Sequence, residues 1–223
     1  MPIQMICLAN SVKHGHHCIA GRSIDRGFIG PWIRPTGNRR DESLLTEEIR
    51  LSDGTLPTLL DILEVSLGPS RPTAHQTENA QLDSTHKWRR AGALPRTTES
   101  LRTLLSKDED LWLPGSSSNR GLLDRVSTTQ LDDVADSLRF IQPSRVTIQI
   151  MKLDGRWHPR AHFWYLGQEY NLKVTDPLYG TARFGEKTQK ISLRNSFFTI
   201  SLGEIFDGYA YKLVAGVLEV SDE

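Results

Sequence analysis

The sequence predicts a mainly β protein with a helical connector, in which each β-rich end forms a small barrel. Three observations predict this class. Short apolar runs bounded by turn residues occur at both ends, helical apolar spacing is confined to the middle, and each end has about the length of a five-stranded barrel domain. The predicted domains are a first barrel over 1–94, a helical connector or insert over 95–143 and a second barrel over 144–223.

The first third of the chain contains short apolar runs that we predict to be strands. They are Ile3–Ala9, Cys18–Ile24, Phe28–Arg34 and Leu59–Leu67. A Gly-bearing loop over 11–16 separates the first two runs, and Gly68-Pro69 ends the last one. Runs of this length with turn residues between them are typical of a small antiparallel sheet or barrel.

The middle of the chain changes to helical spacing. Apolar side chains recur on one face of Thr97–Ser106 and again on one face of Ser127–Leu138, so we predict a helix over each segment. Ser127 is a suitable N-cap, and the following aspartates suit the first turns. The segment 113–119, rich in Gly and Ser, is predicted to be the loop between the two helices.

The last third returns to β patterning. Ser144–Met151 alternates apolar and polar residues, which indicates a strand with one buried face. The remaining predicted strands are His162–Tyr165, Glu169–Thr175, Phe197–Leu202 and Tyr211–Val220. Leu166-Gly167-Gln168 is predicted to be a hairpin connection.

The composition is that of a folded protein, with 38% hydrophobic and 24% charged residues in a chain of 223. No apolar run approaches the ~20 residues that a membrane span needs, and the first residues lack a basic signal region. Two cysteines, Cys7 and Cys18, cannot form a disulfide framework, which favours a reducing compartment. We therefore expect a cytoplasmic protein without a membrane partner.

Positive charge is concentrated in two segments, although 27 Lys and Arg balance 27 Asp and Glu over the chain. Residues 1–40 hold six cations and one anion, and residues 145–194 hold nine cations and four anions. Because the numbers of positive and negative residues are equal, the protein surface cannot be uniformly basic. Two basic segments are nevertheless typical of surfaces that bind a polyanion. The alternative is solvated charge scattered over all faces.

Four clusters of residues are candidates for binding. The first is a Gly-containing loop with Ser11, Lys13 and His14, which is suited to a phosphate contact. Its histidines and Cys18 are too tightly bunched for a metal, because structural zinc sites pair two separated clusters. We therefore predict no metal and no cofactor, and the alternative for this loop is an exposed polar hairpin.

The other three clusters combine tryptophan with basic residues. Trp offers a ring for base stacking, and Arg offers a planar donor for phosphate. The pairs are Trp32 with Arg34, Trp88 with Lys87, and Trp164 with Arg160 on one face of a strand. The alternatives are a buried Trp32 and a connector with solvated charges around Trp88. On the strand at 157–165, one face is expected to be buried and the other could bind.

Common enzyme signatures are absent from the sequence, which lacks a Walker loop, GxSxG, HExxH and the deaminase pattern. Glu78, Asp83 and Asp176 are weak candidates for a general base or metal ligand. No spacing singles them out, and an aspartate before proline, as at Asp176, is more often a turn residue.

Six blocks of residues spread along the chain form a recognisable set. They are Cys7-Leu8-Ala9-Asn10-Ser11-x-Lys13, Gly15-x-x-Cys18-Ile19-Ala20-Gly21, Trp32-Ile33-Arg34-Pro35, Gln76-x-Glu78-Asn79, Val174-Thr175-Asp176-Pro177, and Ser201-Leu202-Gly203-Glu204 with Gly208-Tyr209-x-Tyr211-Lys212-Leu213-Val214-Ala215. Together they resemble the dual OB-containing domain family of prokaryotes over nearly the whole chain.

This resemblance implies two OB-type β-barrels in tandem and a nucleic-acid-binding module, often found beside defence or mobile-element genes. The positions that carry over are Ser11, Lys13, Gly15, Trp32, Arg34, Pro35, Glu78, Asn79, Asp176 and Lys212. The three histidines at 14, 16 and 17 depart from the pattern, which leaves room for a specialised ligand there.

The leading hypothesis is a non-enzymatic module that binds single-stranded or locally opened nucleic acid, with protein partners in a defence system. Its predicted contacts are Ser11, Lys13, His14, Arg22, Trp32, Arg34, Arg39, Arg40, Lys87, Trp88, Arg160 and Trp164. One alternative is an enzyme acting on nucleic acid or nucleotides through the weak carboxylate candidates. Another is a nucleotide-sensing pocket between the two barrels.

Overall fold

The structure is a computed structural model that describes residues 2–13, 15–73, 75–107, 109–132, 134–179, 185 and 187–220, with Lys13 described in its backbone alone. The chain divides into two compact units, Met1–Leu104 and Leu105–Glu223. Each unit is described below by itself.

Within its described residues the first unit contains seven strands and two short helices. In chain order they are β1 (Ile3–Lys13), β2 (His16–Asp25), β3 (Phe28–Thr36), α1 (Thr46–Ile49), β4 (Asp61–Val65), β5 (Leu67–Ser70), β6 (Asn79–Leu82), β7 (Arg89–Ala93) and α2 (Thr98–Arg102).

The first sheet closes on itself. β1, β2 and β3 form an antiparallel meander, and β3 pairs in parallel with β6. β4 lies between β1 and the edge strand β7, while β5 pairs with β6 at the other edge. Because Ser66 alone separates β4 from β5, this continuous segment connects the two ends of the strand order β5-β6-β3-β2-β1. Bulges in the β1–β2 and β2–β3 ladders add the curvature that a barrel needs.

The second unit repeats this design with eight strands among its described residues. They are β8 (Arg125–Ser127), β9 (Leu138–Ile141), β10 (Ser144–Leu153), β11 (Arg156–Tyr165), β12 (Gln168–Val174), β13 (Gln189–Leu193), β14 (Ser196–Phe206) and β15 (Tyr209–Glu219). Short 3-10 helices cover Thr128–Gln130 and Pro177–Tyr179.

The strand order of the second sheet matches that of the first. β10, β11 and β12 form the meander, and β12 pairs in parallel with β15. β13 pairs with β10 at one end of this order, and β14 pairs with β15 at the other. The consecutive strands β13 and β14 therefore close the second barrel in the way that β4 and β5 close the first. In both barrels the third strand of the meander pairs in parallel with the fifth barrel strand, which is β6 or β15. This is the five-stranded Greek-key order of an OB fold. The predicted class of two OB-like barrels is therefore confirmed.

Each barrel has its own apolar core, formed by the inward side chains of alternating strand positions. In the first unit Met5, Cys7 and Leu63 are fully buried together with Trp88. In the second unit Ile148, Phe163 and Phe198 belong to a larger core cluster. Outward positions on the same strands are left for solvent or a ligand.

The helical prediction for the middle of the chain is corrected. The helix predicted over Thr97–Ser106 is shorter, Thr98–Arg102, and the helix predicted over Ser127–Leu138 is wrong. Leu138 begins β9 and pairs with Ser201, because a strand ladder buries it as well as a helix would. The predicted helical connector is therefore mostly strand and loop.

Two further predictions on local structure differ from the fold. Residues 11–13, predicted as loop, continue β1, and Gly68-Pro69, predicted as a stop, lies inside β5. Proline is tolerated there because β5 is an end strand of its sheet. Among the described residues no helix has both the length and the apolar character needed to cross a bilayer.

Candidate nucleic-acid interface

A cleft of about 610 Å³ lies on the second unit, on the outer side of its barrel. Strand alternation explains its lining, because Phe163 and Tyr170 point into the core while Arg160 and Lys173 point outward. The charged side chains that line the cleft are Arg120, Asp124, Arg125, Arg160, Lys173, Asp207 and Lys212. Five cations therefore face two carboxylates, and we call this the basic cleft.

The sheet register places these cations close together. Arg160 on β11 lies directly opposite Lys173 on β12, and Lys173 lies beside Leu213 on β15. Directly opposed side chains in an antiparallel pair have Cβ atoms about 5 Å apart, so two like charges there repel each other. This repulsion favours an anion bound at the same face.

Arg160 is held firmly by its neighbours. Its Nε donates to Asn171 Oδ1 at 2.7 Å and its Nη2 to the Asn171 carbonyl at 2.5 Å. Asp124 lies 3.5 Å from Nη2 and also accepts from the Ser118 backbone and hydroxyl, both at 2.7 Å. Burial lowers the pKa of the Arg160 guanidinium, partly offset by Asp124. Arg160 thus fixes the loop before β8 against the barrel.

Arg125 lies at the start of β8 and is only partly buried. Its guanidinium carbon is 3.9 Å from the centre of the Tyr209 ring, and its Nε donates to Ser116 Oγ at 3.2 Å. A hydrogen bond with Tyr211 is the main cause that raises the pKa of Arg125. Among the described residues Arg125 has no carboxylate partner, so its charge is available to a ligand.

Lys212 borders the basic cleft on β15, but its side chain lies on the core side of that strand, as Ala210 and Val214 do. Its side chain is 1% exposed, and Nζ has no hydrogen-bond partner within the described part of the chain. Nζ lies 5.5 Å from the Tyr170 ring centre, and burial lowers the pKa of Lys212 to about 8 against attraction from Asp110 and Asp124. A Cβ on Gly115 would come within 2.7 Å of Nζ, so the amine is packed closely against this loop.

Aromatic side chains border the same cleft. The β14–β15 hairpin turns at Asp207 and Gly208, whose φ angles of 51° and 76° are those of a tight two-residue turn. This turn leaves Phe206 73% exposed, and Phe206 and Tyr211 both line the cleft. An exposed ring beside cations is the combination with which single-stranded nucleic acid is bound.

Two of the three tryptophans predicted to stack are buried in the first unit. Trp88 is 1% exposed within the core, and Trp32 is 8% exposed with the Arg22 guanidinium 5.7 Å from its ring centre. Arg22 Nε also donates to the Gly30 carbonyl at 2.6 Å. In these positions neither indole offers a face to a base, which for Trp32 corresponds to the buried alternative.

Arg34, predicted to contact phosphate, forms a buried ion pair. Its Nη2 lies 2.9 Å from Glu78 Oε1, with both side chains at most 5% exposed, and its backbone N–H donates to the Glu78 carbonyl. The pair joins β3 to the segment before β6. Neither Arg34 as a phosphate contact nor Glu78 as a general base is therefore accessible in this arrangement.

The other two carboxylate candidates also have local structural roles. Asp83 accepts from the Thr85 backbone at 3.0 Å and from its hydroxyl at 2.6 Å, contacts that lower the pKa of Asp83. Asp176 is buried and accepts from the backbone N–H groups of Leu178 and Val217 at 2.9 and 2.8 Å. Asp176 is therefore the turn residue that its position before proline indicates.

The remaining predicted contacts have varied surroundings. Ser11 is 7% exposed, and its hydroxyl donates to the Cys18 carbonyl at 3.4 Å. Trp164 is partly exposed, with the Arg145 guanidinium 5.6 Å from its ring centre. Three of the predicted cations of the first unit are exposed, namely Arg39, Arg40 and Lys87. His14 and the Lys13 side chain lie outside the described residues.

Of the predicted contacts whose side chains the structure describes, Arg160 alone lines the basic cleft. Sequence reasoning missed Arg125 and Lys173 as contacts, although the outward position of Lys173 could have been found from the alternation of β12. Within the described part of the chain no three His, Cys, Asp or Glu side chains are arranged to hold a metal ion.

Comparison with known proteins identifies the family. No curated protein and no solved structure matches the chain. The family model of the dual OB-containing domain matches residues 3–217, nearly the whole length, and both barrels have the OB strand order. The chain therefore belongs to the dual OB-containing domain family.

Proposed function

We propose that this protein binds nucleic acid, single-stranded or locally opened, at the basic cleft of its second barrel. The observation that carries the proposal is that Arg125 and Lys173, which have no carboxylate within ion-pair distance among the described residues, line one cleft of an OB barrel together with the exposed ring of Phe206. β11 and β12 are the second and third strands of that barrel, and this is the face with which OB folds bind oligonucleotides.

The chemistry of the lining supports a mixed mode of binding. Arg125 and Lys173 would contact phosphates, while Phe206 and Tyr211 would stack on bases, each stack contributing about 1–3 kcal/mol. Stacking of this kind needs unpaired bases, which favours a single strand over an intact duplex. With Arg125 and Lys173 as the phosphate contacts, the affinity should fall with salt with a logarithmic slope of about −1.4.

Binding of a labelled single-stranded oligonucleotide across a salt series tests the proposal. Arg125→Gln and Lys173→Gln should each weaken binding and reduce the slope by about 0.7. Lys190→Gln is the matched control, because Lys190 is an exposed lysine on β13 that does not line the cleft. An affinity independent of salt, or equal slopes for all four proteins, would contradict the proposal.

The first barrel contributes a second set of candidate contacts. Arg39, Arg40 and Lys87 are exposed, although Arg39 lies 3.6 Å from Asp41. We propose that they form phosphate contacts of their own on this barrel. Replacing all three with Gln should weaken binding of a single-stranded oligonucleotide and reduce its salt slope, whereas an unchanged affinity and slope would exclude these contacts.

The role in prokaryotic defence, with its protein partners, stays a prediction from the family resemblance. It is tested by counting phage plaques on cells with and without the gene. Incubation with oligonucleotides and divalent metals, followed by product analysis, tests the non-enzymatic character of the binding. Any cleavage or modification that depends on the protein would contradict it.

A further inference from the structure

The basic cleft accounts for only part of the ligand that an OB barrel binds. Its volume of about 610 Å³ is that of a small-molecule site, which holds about one or two nucleotides. Single-stranded sites on one OB fold cover ~4–16 nucleotides. A strand bound at the cleft therefore has to continue over a neighbouring part of the same barrel.

The outer face of β11 leads away from the cleft. His158 and Arg160 on this face line the cleft, and the next outward positions along the strand are His162 and Trp164. At about 3.3 Å per residue, Trp164 lies ~13 Å along the strand from Arg160. The side chain of His162 is 46% exposed and lies 2.7 Å from that of Glu169, which is 38% exposed. The face is therefore open to solvent between the cleft and Trp164.

A bulge brings a cation to this end of the face. The β10–β11 ladder is irregular between Ser144 and Thr147, where β10 has one residue more than β11. Val146 keeps its place in the core, while Arg145 is exposed and has a left-handed φ of 52°. In a regular strand Arg145 would point inward, because the residue before it points outward. The bulge thus places on the outer face a cation that regular alternation would bury.

Arg145 and Trp164 together form a flat, charged platform. The guanidinium carbon of Arg145 lies 5.6 Å from the centre of the Trp164 ring, and the ring is partly exposed. Among the described residues Arg145 has no carboxylate within ion-pair distance. Indole rings and guanidinium planes both stack on nucleobases, and the guanidinium also attracts a phosphate. Such a platform is suited to one nucleotide of a single strand.

We propose that Trp164 and Arg145 form a second nucleotide subsite, reached by a single strand that runs from the basic cleft along the outer face of β11. This inference rests on the proposed function, because it extends the same ligand over the same barrel. Stacking on this platform accepts any base, since every base has a flat face. The subsite therefore adds affinity and length to the bound segment without adding sequence preference.

Fluorescence anisotropy with a labelled oligothymidylate of about ten nucleotides tests the subsite. Trp164→Ala should weaken binding about tenfold, the loss expected for one stacked base, whereas Trp164→Phe keeps a ring and should retain most of the affinity. Arg145→Gln should weaken binding and reduce the salt slope by about 0.7. Lys152→Gln is the matched control and should bind as the wild type does. Lys152 is also an exposed cation 5.6 Å from an indole ring, but its partner Trp157 packs against the core.

A series of oligonucleotide lengths tests whether one strand reaches both places. The effect of Trp164→Ala should be absent for a dinucleotide, measured as a competitor, and complete once the strand spans the ~13 Å from Arg160. An effect of equal size at every length would refute the path along β11. Thermal unfolding verifies that each variant is folded, and the exposed Arg145→Gln gives an independent result if Trp164→Ala alters folding.

The outcomes separate this inference from the proposed function. Weaker binding by Arg125→Gln and Lys173→Gln, with wild-type binding by Trp164→Ala and Arg145→Gln, would refute the subsite and leave binding at the basic cleft standing. The reverse result would support the platform as a nucleotide site and refute the basic cleft as the place of binding. Absence of binding to every oligonucleotide would refute both.

Discussion

Replacing Lys212 with Met should stabilise the protein at neutral pH by an amount that can be worked out from its surroundings. Burial lowers the pKa of Lys212 from 10.5 to about 8, which corresponds to about 3 kcal/mol of destabilisation while the amine is protonated. Methionine has a similar length and carries no charge. The variant should therefore unfold with a free energy up to about 3 kcal/mol larger at about pH 7.

The stabilisation by Lys212→Met should decrease as the pH rises. The folded state holds the Lys212 proton less tightly than the unfolded state, so the destabilisation is fully present below about pH 8 and fades as the pH rises to 10.5. The difference between the two proteins should therefore shrink by most of its value between about pH 7 and pH 10. Tyr170, whose pKa is raised to about 12, occurs in both proteins, and its direct contribution cancels.

Urea unfolding of both proteins at several pH values measures this difference. Since both chains expose nearly the same surface, equal m-values verify that the unfolding transitions are comparable. The Lys190→Gln protein should track the wild type at every pH, because Lys190 is exposed. A difference that stays constant with pH, or one that grows above about pH 8, would refute the interpretation of Lys212 as a buried, unpaired cation.

Three other substitutions test the structural roles described above. Glu78→Gln removes one partner of the buried pair with Arg34 and should cost about 3–5 kcal/mol in urea unfolding; a loss below about 1 kcal/mol would mean that the pair is solvated. Trp88→Ala should lower the free energy of unfolding by about 3–5 kcal/mol in the same assay. The folded variant should bind the oligonucleotide as tightly as the wild type, and a loss of affinity without a loss of stability would support the stacking role. Asp176→Asn should cost about 1–3 kcal/mol, measured by thermal unfolding, because the Val217 N–H loses a charged acceptor; an unchanged midpoint would contradict that bond.

Strands with local, regular signals could be predicted from the sequence. Ser144–Met151 alternates cleanly and forms β10, and the Leu166-Gly167 turn joins β11 to β12 as predicted. β6 was missed because its four residues, Asn79–Leu82, show little alternation and owe their strand conformation to the parallel pairing with β3. A partner more than 40 residues away leaves no signal in a local pattern.

The candidate site could be predicted only in part, because charge in a sequence does not reveal burial. Arg34 and Lys173 are both basic residues on predicted strands, yet Arg34 is buried against Glu78 and Lys173 faces the cleft. Arg125 lines the cleft because β8 pairs with β15. The sequence analysis predicted a helix over Ser127–Leu138 and therefore did not predict this strand pairing. The site is thus a product of topology that joins distant segments.

The two barrels share a strand order but bury their cations differently. In the first barrel Arg34, on the third strand, has Glu78 at 2.9 Å, so its charge is matched within the protein. In the second barrel Lys212, on the last strand, lies beside the core ring of Tyr170 and has no hydrogen-bond partner among the described residues. An unmatched buried charge lowers stability, whereas removing one partner of a matched pair leaves the other unpaired. The physical expectation is therefore that Lys212, unlike Arg34, can be replaced by an uncharged side chain of similar length with a gain in stability at neutral pH.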